Sequence, residues 1–147
     1  MSQKELFNQC LNEPSAVQFC ELFFGACQVV DDLVDRDNQV TNDDIYRMFL
    51  SLIIELPRNK FYRVHIDYLT PVINHVIHDW IDANRMEKGE EQEQRVAYVL
   101  RDTYNSILSH CAYLLYGQDK MNEVNKIVRE IVFTEAFKDY QEGLNHG

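Results

Sequence analysis

Apolar residues recur at three- and four-residue spacing along most of the chain, the pattern of amphipathic helices. Leu6, Phe7, Cys10 and Leu11 mark a short helix over Lys4–Leu11, interrupted by Glu13-Pro14-Ser15. Ser15 is placed to N-cap a second helix, Ala16–Arg36. Its apolar residues, from Val17 and Phe19 to Leu33 and Val34, cover more than half the circumference, so this helix is expected at the centre. Gly25 inside it is expected to let a neighbouring helix approach closely. Thr41 or Asn42 caps a third helix, with Ile45, Phe49, Leu52, Ile53 and Leu56 as its buried stripe and Pro57 ending it near Leu56. A fourth segment starts near Asn59, and Thr70-Pro71 either opens a new helix or kinks the old one. From Pro71 to about Lys88, Val72, Ile73, Val76, Ile77, Trp80 and Ile81 form the buried side, and Gly89 is the stop. Glu90–Glu93 then opens a helix running unbroken to Tyr116-Gly117, and the last helix spans about Asp119 to Glu142. The tail Gly143–Gly147 is expected to fray.

Composition narrows this to an all-α fold. Five Gly and three Pro are too few turn formers for a many-stranded sheet protein. With 147 residues, 46% of them hydrophobic, the chain is expected to form one domain over 1–147, a single antiparallel bundle of six or seven helices. A net charge of −10 argues against direct nucleic-acid binding, because such a surface repels phosphate. It favours a basic protein partner, and a homodimer is the other macromolecular association expected. Cys10, Cys20, Cys27 and Cys111 form no CxxC pair, so no zinc or disulfide framework is expected; Cys20 and Cys27, seven apart on one helix face, read as small core residues. The N-terminus lacks signal-peptide architecture and no apolar run reaches membrane-span length, so a reducing, cytoplasmic setting is expected.

The densest chemistry is the acidic run Asp31-Asp32-Leu33-Val34-Asp35-Arg36-Asp37 at the end of the second helix. Asp31 and Asp35 share a face at four-residue spacing, and Asp32 lies nearly so. Like charges this close repel unless a cation compensates, and Mg²⁺ takes carboxylate oxygens while keeping water or phosphate as its other ligands. The run resembles the first aspartate-rich motif, DDxxD, of the class I isoprenoid synthases, including the polyprenyl and squalene/phytoene synthases. The resemblance covers about ten residues. It implies an all-helical bundle in which Asp31, Asp32 and Asp35 hold Mg²⁺, and the metal holds the diphosphate of an allylic substrate. Arg36, Arg95 or Arg101 would then meet phosphate oxygens. The chain departs from that family in being about half the usual length. It also lacks a second aspartate motif and carries Asn38-Gln39-Val40-Thr41 where an arginine-rich segment is expected.

Other polar constellations stand at helical spacing. Asp102, Ser106 and His110 are spaced four and four, which resembles the second metal motif of the terpene cyclases with His in place of Glu. His75, His78, Asp79 and Asp82 share a face opposite the apolar side of their helix; His78-Asp79 formally matches the pair of the HD-type phosphohydrolases. Asp32-xx-Asp35 and Glu90–Glu93 are similar to the paired acids of helical nucleotide pyrophosphohydrolases. No nucleophilic triad context and no Gly-rich phosphate loop is present. Two functions are therefore expected: a Mg²⁺- and diphosphate-binding helical protein, or a non-enzymatic acidic helical protein that binds a protein partner.

Overall fold

The computed structural model describes residues 1–36 and 38–146, the side chains of Asn145 and His146 excepted. Asp37 of the acidic run and Gly147 of the tail lie outside these residues. Among the described residues every regular element is a helix, so the chain is all-α. No described helix is long and apolar enough to cross a membrane. Backbone contacts divide the chain into two compact units, 1–66 and 67–147.

The first unit contains α1 (Gln3–Leu11), α2 (Pro14–Asp35), α3 (Asn42–Leu50) and the short α4 (Leu56–Arg58). Ser2 and Glu5 cap α1 reciprocally, and Thr41 and Asp44 do the same for α3. The cap of α2 is Glu13 rather than Ser15. Its carboxylate accepts from Ser15 N (3.0 Å) and Ala16 N (2.8 Å), and Pro14 occupies the first helical position, where no N–H is needed. Ser15 instead binds a distant segment: its Oγ accepts from Phe61 N at 2.9 Å.

The core of this unit is aromatic. Phe7 stacks on Phe24 with ring centroids 5.4 Å apart, and Phe19 meets Phe61 and Tyr62, each at 5.7 Å. Such pairs contribute about 0.5–1.5 kcal/mol beyond the burial of their area. Gly25 does not serve close packing: a Cβ built there would meet nothing within 4 Å. Nor does Pro57 stop the third helix at Leu56. The chain widens into a π-helical turn, Ser51–Glu55, in which Leu56 N donates to Ser51 O five residues back, and helical structure continues to Arg58.

Helix α5 (Lys60–Met86) passes the boundary between the units. Its one non-helical residue is His65 (φ −110°, ψ 17°), six residues before Pro71. The proline ring crowds the carbonyl four residues back, at Asp67, and the helix yields just upstream of that point. In the second unit follow α6 (Glu91–Leu100), α7 (Ser106–Tyr116), α8 (Gln118–Val132) and α9 (Phe137–His146).

Two long helices expected here are each broken. Between α6 and α7 the polar run Asp102–Asn105 turns, ending in a 3₁₀ segment over Thr103–Asn105. Asn105 Nδ2 donates to Asp102 O at 3.0 Å, a local side-chain bond that competes with the helix ladder. Between α8 and α9 the chain leaves the helix at Phe133 (φ −96°, ψ 49°), and the Tyr98 hydroxyl donates to the Glu135 carbonyl in that break. The buried face of α5 is also narrower than expected. Leu69, Val76 and Ala83, seven apart, are buried, whereas Ile77 and Ile81 are 44% and 48% exposed.

Candidate functional site

Asp31, Asp32 and Asp35 occupy the last turns of α2 and are each half-buried. Asp32 Oδ1 accepts from Gln28 Nε2 (3.0 Å) and Asn38 Nδ2 (3.1 Å). Burial, and secondarily the Asp31 carboxylate, pushes the Cys27 thiol up to about 12, so it stays protonated and unreactive near neutral pH. Arg36 ends the helix in the left-handed region (φ 58°) and is exposed. Among the described residues no three His, Cys, Asp or Glu side chains converge so as to hold a metal ion.

Arg101 belongs to the second unit and has a structural setting there. Its Nη1 pairs with Glu87 Oε1 at 3.1 Å, and its guanidinium lies 5.3 Å from the centre of the Tyr140 ring. The Tyr140 hydroxyl donates to the same carboxylate oxygen at 2.7 Å. Burial first, and then this bond, raises the tyrosine pKa, so the phenol remains a donor. The three side chains clasp the end of α5 to α9. Arg95 lies over the Phe137 ring at 4.4 Å and pairs with Glu91.

The break between α6 and α7 brings part of two sequence constellations together. His75 and Asp79 from α5, with Asp102, Thr103 and Ser106, line a cleft of about 330 Å³ closed on the α8 side by Asn125 and Arg129. Thr103 Oγ1 lies 2.8 Å from Asp79 Oδ2 and 3.1 Å from the Leu100 carbonyl, and its single hydrogen serves one of them at a time. His75 Nε2 is 3.6 Å from Asp79 Oδ2, an ion pair only when the ring is protonated. His78, Asp82 and His110 do not line this cleft. Asp82 pairs with Arg85 on the surface. Burial lowers the His110 pKa, and its Nδ1 lies 2.8 Å from the Tyr68 hydroxyl in a hydrogen bond whose donor is set by the ring tautomer.

The feature that sequence reasoning missed is on α3 and the π turn. No residue from Asn42 to Arg58 is buried. Tyr46, Phe49, Leu50, Ile53 and Ile54 are 61%, 64%, 54%, 56% and 50% exposed. Their spacing of three, four, seven and eight makes one stripe along the helix. Phe49 and Ile53, expected in the core, therefore face water, while Ile45, Met48 and Leu56 are half-buried. A signal was available: from Ile45 to Ile54 apolar residues fall all round the helix, more than one buried face requires. Exposed aliphatics elsewhere come singly or in pairs, such as Ile77 with Ile81, which is ordinary; five large side chains on one short stretch are not.

No protein-family model, no curated protein and no solved structure matches this chain.

Proposed function

We propose that this chain is a non-enzymatic helical protein that binds a protein partner through the apolar ridge of α3 and its π turn. The exposure of Tyr46, Phe49, Leu50, Ile53 and Ile54 carries this reading. Fully burying a side chain of this size contributes about 1.5–3 kcal/mol relative to leaving it in water. Five side chains left half-open thus forgo several kcal/mol that only a partner can recover. Single π-helical turns within α-helices are also frequent at functional sites. Charged residues border the ridge at Asp43, Arg47, Glu55 and Arg58, all exposed, which is the polar rim of an interface.

The test is a photoreactive residue placed at position 49 in the full chain inside cells, with position 92 as an exposed control on α6. Adducts at 49, absent at 92 and abolished by Ile53→Glu, are expected. Equal labelling at both positions, or none at 49, would overturn the reading.

One observation favours the magnesium reading as a second choice. The last turn of α2 contains no basic residue, and Asp31, Asp32 and Asp35 crowd the negative pole of a 22-residue helix, where a cation is favoured. If Mg²⁺ with pyrophosphate binds there, it raises the melting midpoint of the wild type and leaves an Asp31→Ala/Asp35→Ala variant unmoved. Equal shifts in both proteins would discard it.

A further inference from the structure

Resting on the reading of this ridge as an interface, we infer that its occupant is a second copy of the same chain, docked antiparallel about a two-fold axis near Ser51.

The argument is the order of charges along the helix. From its start to its end the exposed rim reads Asp43, Arg47, Glu55, Arg58: negative, positive, negative, positive. The midpoint of positions 43 and 58 and the midpoint of 47 and 55 both fall at residues 50–51. A copy turned end for end about that point therefore brings Asp43 opposite Arg58 and Arg47 opposite Glu55, on both sides of the axis. At a rise of about 1.5 Å per residue, each outer charge lies roughly 11–12 Å from the centre, so the outer pairs meet in register. A parallel copy in the same register would set each charge against its like, which is destabilising. A foreign helix would need its own sequence to supply this complement; the chain already contains it. This is the self-complementarity that a two-fold interface demands, with each residue paired to a different residue of the other copy.

Phe49 and Ile53 obey the same symmetry. Reversal about Ser51 lays Phe49 of one copy against Ile53 of the other, both on the exposed stripe. An aromatic ring from each copy thus falls on a branched aliphatic side chain of the other. Leu50, on the stripe one residue from the axis, meets its own image there, an apolar contact between two flexible side chains. The 17 residues from Asn42 to Arg58 give a face about 25 Å long. With the charged rim included, such a face reaches the low end of stable interfaces, about 600–800 Å² per partner. A dimer of this size is expected to dissociate with a Kd on the order of 10 µM.

Sedimentation equilibrium on the full chain, from about 1 to about 200 µM, reads the proposal directly. The mass is expected to rise from 17.4 kDa toward twice that value. Phe49→Glu with Ile53→Glu should hold the protein monomeric, with its helical circular dichroism unchanged, since both positions are exposed.

The orientation is read by charge reversal. Asp43→Arg alone and Arg58→Asp alone each place like charges at both outer contacts, and each is expected to weaken self-association about tenfold. Mixing the two single variants restores two attractive outer pairs, so native mass spectrometry should find the mixed dimer in excess over either homodimer. The two changes combined in one chain should restore wild-type association.

A wild-type chain that stays monomeric at every concentration would overturn the second copy as occupant. If position 49 still acquires another protein in cells, the partner-binding reading survives that result; if position 49 acquires nothing, both fall. A dimer that resists Phe49→Glu/Ile53→Glu, or shows no preference for the mixed species, would also overturn the proposal.

Discussion

Asn59 shows how much a single polar side chain can organise. It is 3% exposed, yet its amide is fully engaged. Nδ2 donates to Ser15 O at 2.9 Å and to Gln18 Oε1 at 3.0 Å, while Oδ1 accepts from Tyr62 N at 2.8 Å, capping the start of α5. With Ser15 Oγ on Phe61 N, these bonds tie the first turns of α2 and α5 directly to each other. Asn59→Ala removes a cap and two buried bonds together, and is expected to cost about 2–3 kcal/mol in a urea melt. Ser15→Ala removes one bond and should cost about 1 kcal/mol. Asn59→Asp keeps the acceptor but faces two oxygens with a third, so it should recover little of the loss; full recovery would mean that the cap alone matters. The sequence marked Asn59 as a helix start and Ser15 as a cap. Their pairing across 44 residues was not legible, because a cap's own helix is local and its second partner is not.

At the scale of elements, the all-α class and most helix starts were readable, since capping chemistry and apolar periodicity act within a few residues. Thr41 with Asp44 and the start of α5 after Asn59 follow from that chemistry. What periodicity missed are the places where side chains interrupt a helix that the apolar spacing continues through. Val99, Thr103 and Ile107 keep helical spacing across the break between α6 and α7, but Asn105 bonds the Asp102 carbonyl there and ends the ladder. The break at Phe133–Ala136 contains neither Gly nor Pro and is held by a hydroxyl from Tyr98, far away in sequence. The candidate sites divide the same way. Spacing placed His75 with Asp79, and Asp102 with Ser106, on their own segments; only the turn between α6 and α7 brings both pairs to one cleft. Periodicity likewise finds the apolar stripe of α3 but cannot say whether this chain or another covers it, so Phe49 and Ile53 read as core.

At the scale of the molecule, the net charge of −10 makes a prediction that separates two ways of holding a dimer together. The proposed antiparallel interface would have four rim ion pairs, and exposed pairs contribute only about 0.2–1 kcal/mol each, less in salt. Against them stands the repulsion of two whole chains, whose product of net charges is roughly a hundred times that of one ion pair. Range decides the balance. At 0.01 M salt the Debye length is about 30 Å, comparable with a small protein, so the whole-chain repulsion is felt; at 0.15 M it is about 8 Å, and that repulsion is largely gone. Rim pairs in contact at about 4 Å lie inside the shorter length and keep much of their attraction. The apolar stripe is indifferent to this range of salt. Association of the wild type should therefore tighten severalfold between about 0.01 and about 0.15 M NaCl and then level off. Sedimentation at the two salt concentrations measures it. A dimer that loosened over that interval would be held by its ion pairs, with Phe49 and Ile53 contributing little, and the ridge would lose its claim to be the interface.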